Sequence, residues 1–158
     1  MRLYHGSNIE IERIDLSKSR PFKDFGIAFY LSVDERQAWE RAYAVMSICG
    51  GKPYVTTFEF DESLMSSSKL KVKTFESYSE EWADFIFANR NKRNPSWHHD
   101  YDIVYGPIAN DKVGEQVALY RGAYITRSVF LEKLKHLKGI TFQYAFCTEA
   151  SIRELKRI

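Results

Sequence analysis

Apolar and polar positions along this chain fall into short runs, each the length of one strand or a few helical turns, separated by polar clusters. Residues 3–5 form a short strand candidate that runs into the turn cluster Gly6-Ser7-Asn8. A polar loop over 17–26 leads to an apolar run of strand length, 27–31. Ser32 then predicts a helix start, because its hydroxyl can cap free N–H groups and Glu35 completes a capping box. That helix is expected to reach about Ile48 and to end at Gly50-Gly51. Residues 53–60 read as a strand rich in β-branched and aromatic side chains. Residues 66–68 are a serine turn, and 69–73 alternate with period two, a strand with one wet, basic face. Ser79 predicts the start of a helix to about Arg90, with Trp82, Phe85 and Ile86 on one stripe. After a polar loop, 89–99, a buried strand is expected over 101–105, stopped by Gly106-Pro107. Short helices are expected over 111–120 and 128–137, a strand over 140–147, and a terminal helix from Glu149 capped by Thr148.

Strands and helices are interspersed without the strict alternation of a doubly wound sheet. No glycine-rich phosphate loop follows any strand, and no internal repeat is present. The pattern predicts an α+β domain: five to seven short strands in one or two sheets, with helices packed outside. The length, 158 residues, fits a single domain spanning 1–158. Twenty-four aromatics and 44% apolar residues exclude disorder, and no run is long enough to cross a membrane. The N-terminal residues lack an apolar signal core, so a cytoplasmic protein is expected. Cys49 and Cys147 are too few for a disulfide framework or zinc site and are expected to be reduced and buried. A net charge of +2 does not predict a nonspecific grip on nucleic acid. From 127 to 158 there are seven Lys/Arg against three Glu, a tail that reads as a solvated basic face or a nucleic-acid contact.

Three positions stand out as candidate chemistry. His5 follows a strand and precedes Gly6, a residue that lets a ligand approach the backbone closely. Tyr30 ends an apolar strand just before the expected helix. Gln143 interrupts the strand Ile140-Thr141-Phe142-Gln143-Tyr144-Ala145-Phe146 and shares a face with Thr141 and Ala145, opposite the aromatic face. Each also has a plain reading: a turn histidine, a core aromatic, a solvent-facing glutamine.

Tyr4-His5-Gly6-Ser7, then Asp24-Phe25-Gly26 leading to Phe29-Tyr30-Leu31-Ser32, then Phe142-Gln143-Tyr144 stand in the order of a known three-part signature. On these residues the chain resembles the ADP-ribosyltransferase superfamily in its His-Tyr-Glu branch, the branch of diphtheria toxin and the poly-ADP-ribose polymerases. It is similar to short bacterial proteins of that branch, catalogued as a domain of unknown function and often found beside antitoxin-like genes. Tyr101-Asp102-Ile103-Val104-Tyr105-Gly106-Pro107-Ile108-Ala109 and the ending Gln143-Tyr144-Ala145-Phe146-Cys147-Thr148-Glu149 recur there.

The resemblance implies an ADP-ribosyltransferase-like fold, with NAD as substrate and no metal. It implies mono-ADP-ribosyl transfer to a macromolecular acceptor, protein or nucleic acid, with a toxin role and a neutralising antitoxin partner. It places His5 on a ribose hydroxyl, the Gly6 backbone on the carboxamide with Ser7 beside it, and the Tyr30 ring against the nicotinamide. Trp39 or Tyr43 on the following helix would close the other side of that ring. Arg20 would hold the pyrophosphate, because arginine pairs bidentately with phosphate oxygens. Asn89 and Arg90 match a recurring pair that would hold a phosphate or the acceptor.

At the third signature position the branch carries Glu, and this chain carries Gln143. Glutamine can orient a ribose but supplies neither charge nor a base. Three options follow: an acceptor that brings its own nucleophilicity, a second carboxylate such as Glu149 in the site, or NAD binding without turnover in a module that acts through protein–protein contact. Ala28 stands where relatives often carry Gly, a change that matters only if the backbone there needs positive φ. His98-His99-Asp100 resembles metal ligands, but adjacent loop histidines diverge and no fourth ligand is spaced for a site.

Overall fold

The structure is a computed structural model that describes residues 1–109, 111–137 and 140–158. Seven strands are present among these: β1 (Arg2–Ser7), β2 (Phe29–Leu31), β3 (Tyr54–Glu59), β4 (Val72–Thr74), β5 (Ile103–Pro107), β6 (Phe142–Phe146) and β7 (Lys156–Arg157). Five helices accompany them: α1 (Glu35–Cys49), α2 (Glu80–Asn89), α3 (Asp111–Arg121), α4 (Arg127–Lys135) and the single turn α5 (Glu149–Ile152). Two 3₁₀ turns, Leu16–Lys18 and Glu62–Ser66, lie where no helix was expected. The expected α+β class is what the structure has.

The strands form two sheets, in the orders β1-β3-β7 and β2-β6-β5-β4. All pairings are antiparallel except β4 with β5, which are joined through α2. Leu3, Phe29, Leu31, Phe58, Phe60, Ile103, Tyr144 and Phe146 fill the space between the sheets. On the other face of the four-stranded sheet, Phe25, Val104 and Ala145 pack with Trp82, Ile86, Val113 and Phe130 from α2, α3 and α4. Burying one such large side chain contributes roughly 1.5–3 kcal/mol.

Helix α1 buries only Ala38 and Ala42. They lie against Gly6, where an added Cβ would stand 1.8 Å from the Ala38 carbonyl oxygen. Strand and helix backbones therefore touch, and glycine is required by the approach rather than by its φ.

The edges differ from the sequence expectation: β1 runs through Gly6 and Ser7, read as a turn, and β2 and β6 begin two residues late, at Phe29 and Phe142. The cap of α1 is Asp34, whose carboxylate accepts from Arg36 N–H, not Ser32. Ser32 is still extended, and its hydroxyl donates to Gln37 Oε1 at 2.8 Å. Strand β4 starts at Val72, since Lys71 instead donates its N–H to the Asp102 carboxylate. Helix α4, expected over 128–137, spans Arg127–Lys135 and is capped by Thr126. The terminal helix stops after one turn, and the chain returns to an extended state as β7 on β3. Among the described residues no helix is long and apolar enough to cross a membrane.

Candidate functional site

The two sheets meet at one antiparallel bridge. Tyr4 N–H donates to Ser32 O at 2.8 Å, and Ser32 N–H donates to Tyr4 O at 2.9 Å. A continued ladder would make Gly6 and Tyr30 the next bonded pair, two residues along each strand. The strands part instead. His5 Nδ1 lies 2.8 Å from Tyr30 O and takes the acceptor that Gly6 N–H would have used. Because Tyr4 points its backbone groups toward β2, alternation turns those of Gly6 to that same edge, away from β3. Neither Gly6 group has a partner across that edge among the described residues. The fork between β1 and β2 thus leaves one N–H and one C=O of buried Gly6 unpaired, the pair that a carboxamide needs.

A carbonyl oxygen only accepts, so Nδ1 of His5 carries the proton and Nε2 keeps its lone pair. The ring stacks on Phe29 with centroids 4.2 Å apart. Burial lowers its pKa from 6.5 to about 4, and the nearby charges of Lys23 and Arg41 push the same way, against the hydrogen bond to Tyr30 O. His5 is therefore a neutral acceptor at Nε2 in neutral solution, suited to a ligand hydroxyl.

Tyr30 pairs with Ala145 on β6 and projects to the same face as that residue. Its hydroxyl donates to Gly26 O at 2.8 Å and accepts from Phe25 N–H at 3.2 Å. Burial pushes that phenol well above its ordinary pKa, so it stays a neutral donor. One ring face carries the Lys23 ammonium, 4.7 Å from the centroid. Gln143 lies two residues from Ala145 on β6, opposite Gly106 of β5, and so shares Tyr30's face. It is half-buried, and its amide makes no hydrogen bond among the described residues.

The other expected site residues divide. Ser7 is buried next to Gly6 and turns its hydroxyl to Ile9 O. Arg20 reaches toward the end of α1, its Nη2 3.8 Å from Cys49 Sγ. Trp39 and Tyr43 are exposed and pack on each other at 6.2 Å. At 100° per residue both lie about 160° around α1 from Arg41, which approaches His5 and Lys23. The structure brings His5, Gly6 and Tyr30 to one fork, sets Gln143 on the sheet face of Tyr30, and leaves these two aromatics on the far flank of α1. Glu149 is exposed at the start of α5, with about 14 Å of strand between Gln143 and Cys147 before it.

Asn89 and Arg90 serve the loop before β2. Arg90 pairs with buried Asp24, its Nε donating at 2.7 Å, and the second Asp24 oxygen accepts from Ala109 N–H at 2.8 Å. Asn89 donates to Phe85 O at 2.9 Å. His99 accepts Tyr101 N–H at Nδ1, so its Nε2 donates to Phe25 O at 3.0 Å, and burial lowers its pKa. Among the described residues no group of three or more His, Cys, Asp or Glu could hold a metal. Ala28 is buried and outside the positive-φ set, so its methyl adds no backbone strain. Cys147 is half-buried, and burial pushes its thiol up to about 12. Cys49, expected inside, is exposed because α1 buries only its alanine stripe.

Two cations at the fork were not legible in the sequence. Lys23 stands just before the Asp24-Phe25-Gly26 segment, and only the fold lays it on Tyr30. Arg41 stands three residues after Ala38, and its place follows once Ala38 is known to face Gly6. Two surface grooves, about 440 and 290 Å³, lie elsewhere, bordered by Met1, Arg2 and Lys156 and by Glu10, Thr57 and Arg157.

The model of one protein family, described as protein of unknown function (DUF3990), matches residues 1–157, and the chain belongs to that family. No curated protein and no solved structure matches it.

Proposed function

We propose that this DUF3990 protein is a mono-ADP-ribosyltransferase that uses NAD as substrate, with the β1–β2 fork as its nicotinamide site and the two-sheet domain as an ADP-ribosyltransferase-like fold. The observation that carries the reading is the interrupted ladder, which leaves the Gly6 N–H and C=O unpaired beside His5 and Tyr30. The N–H would donate to the carboxamide oxygen and the C=O would accept from its NH₂, together contributing roughly 1–3 kcal/mol. The His5 Nε2 lone pair would accept a ribose hydroxyl, and the Tyr30 ring would carry the pyridinium.

In the reaction the bond between the nicotinamide nitrogen and ribose C1′ breaks. Its electron pair goes to nicotinamide, which leaves neutral and needs no general acid. Positive charge develops on the ribose, as in glycoside hydrolysis. The acceptor's lone pair closes on C1′, and the acceptor loses any proton it carries to solvent. Gln143 would orient the ribose 2′-OH without adding charge. The acceptor therefore supplies its own nucleophilicity, as a carboxylate or phosphate does. Family resemblance supports a bacterial cytoplasmic setting and a toxin countered by an antitoxin protein.

The uncharged Gln143 also favours a second reading, a module that binds NAD or ADP-ribose without turnover and acts through protein contact. Adenylate-labelled NAD incubated with the protein in host lysate separates the two. The transferase is expected to label protein or nucleic acid, to lose at least tenfold on His5→Ala, and to lose activity on Gln143→Ala. No label and no free nicotinamide, despite NAD binding, would leave the binding module standing.

A further inference from the structure

Lys23 lies over Tyr30, and Arg41 and Arg20 are near enough for their charges to act on it. None of Arg20, Lys23 and Arg41 forms an ion pair with a carboxylate among the described residues, a state they share with several other arginines. Lys23 rests instead on the face of Tyr30. We propose that Arg20, Lys23 and Arg41 form a pyrophosphate subsite, which Lys23 completes only when a cationic ring replaces its ammonium over Tyr30. The inference rests on the NAD reading of the fork.

The exchange replaces like with like. An aromatic face attracts a cation within about 6 Å of its centroid, and oxidised nicotinamide is itself a cation. The free protein thus holds an internal stand-in for the ring of its ligand. Backbone anchoring confines the movement to the lysine side chain. Phe22 is left-handed at φ 62°, and Asp24 is tied to Arg90 and Ala109. The four-carbon stem of Lys23 is long and flexible enough to swing from the ring toward Arg41 and Arg20. Burial and the two arginines hold the Lys23 amine below its ordinary pKa against the opposing charge of Asp24, whose carboxylate is already committed to Arg90 and Ala109, so these cations lack a negative charge of their own. A pyrophosphate brings that negative charge and accepts bidentately from arginine. In NAD a single ribose joins the cationic ring to the anionic bridge, so one molecule would place its ring on Tyr30 and its bridge within reach of the lysine side chain.

The test uses two probes, ADP-ribose and 1-methylnicotinamide, on the full chain and on Lys23→Ala. With 1-methylnicotinamide saturating, so that Lys23 is released from Tyr30, the variant is expected to bind ADP-ribose about tenfold more weakly than wild type, having lost one charged contact. It is expected to bind 1-methylnicotinamide about two- to fivefold more tightly, having lost the competing ammonium. In the free wild-type protein the Lys23 ε-methylene protons are expected to be shifted upfield by the Tyr30 ring and to return on saturation with 1-methylnicotinamide. Wild-type NAD binding with both affinities unchanged, or both moved the same way, in Lys23→Ala would overturn the subsite and leave the NAD reading intact. A wild-type protein that binds none of these ligands would overturn both, whatever the Lys23 resonance does.

Discussion

His5 joins two jobs in one ring. Its Nδ1–H closes off Tyr30 O, which keeps the strands apart, and its Nε2 keeps a lone pair as an acceptor. The proton count follows from burial, since a ring with a pKa of about 4 in the folded chain and 6.5 in the open one binds fewer protons when folded. Stability therefore falls as pH is lowered from 6.5 to 4 and loses nothing further to His5 below that. A shift of that size corresponds to about 3 kcal/mol. His5→Gln keeps a donor for Tyr30 O and cannot titrate, so its unfolding free energy is expected to fall less than that of wild type between pH 7 and 4. Parallel profiles would contradict a neutral His5. His5, Gly6 and Tyr30 were legible as candidates because each belongs to a short contiguous motif. Lys23 and Arg41 were not, because a cation on a ring is made by two chain segments that periodicity does not connect.

Elements were legible where pattern and capping agreed and blurred where a side chain had a second use. Ser32 has the look of a cap, yet its backbone is committed to Tyr4 and the cap passes to Asp34. The last strand was missed because Lys156 and Arg157 carry no apolar alternation, and the edge of β3 alone recruits them. The Asp24–Arg90 pair is the joint that fixes the loop before β2 to α2 and to the end of β5. Its groups are largely buried, with side chains 10% and 25% exposed. Removing one partner leaves the other charge unpaired, at a cost of about 3 kcal/mol. Arg90→Ala is therefore expected to lower Tm by about 10 °C in a chain of this size. A change of under 2 °C would contradict a structural role for the pair and return Arg90 to the list of ligand contacts.

At the scale of the whole molecule, the fork exists because two sheets share one bridge and then diverge around a shared aromatic core. The α+β class and six of the seven described strands were readable from run lengths. The division into β1-β3-β7 and β2-β6-β5-β4 was not, since strand order depends on contacts between distant segments. That division turns Gly6 from a turn residue into the open end of a ladder and sets Gln143 on the same sheet face as Tyr30. The central claim is that this open end receives the nicotinamide end of NAD. Amide resonances of the full chain, followed while NAD is added, test it without altering a residue. Gly6 N–H is expected to move downfield as it gains an acceptor, with Tyr30 and Gln143 shifting in step, and AMP alone is expected to leave Gly6 in place. NAD binding that leaves Gly6 and Tyr30 unmoved, or no binding at millimolar NAD, would contradict it.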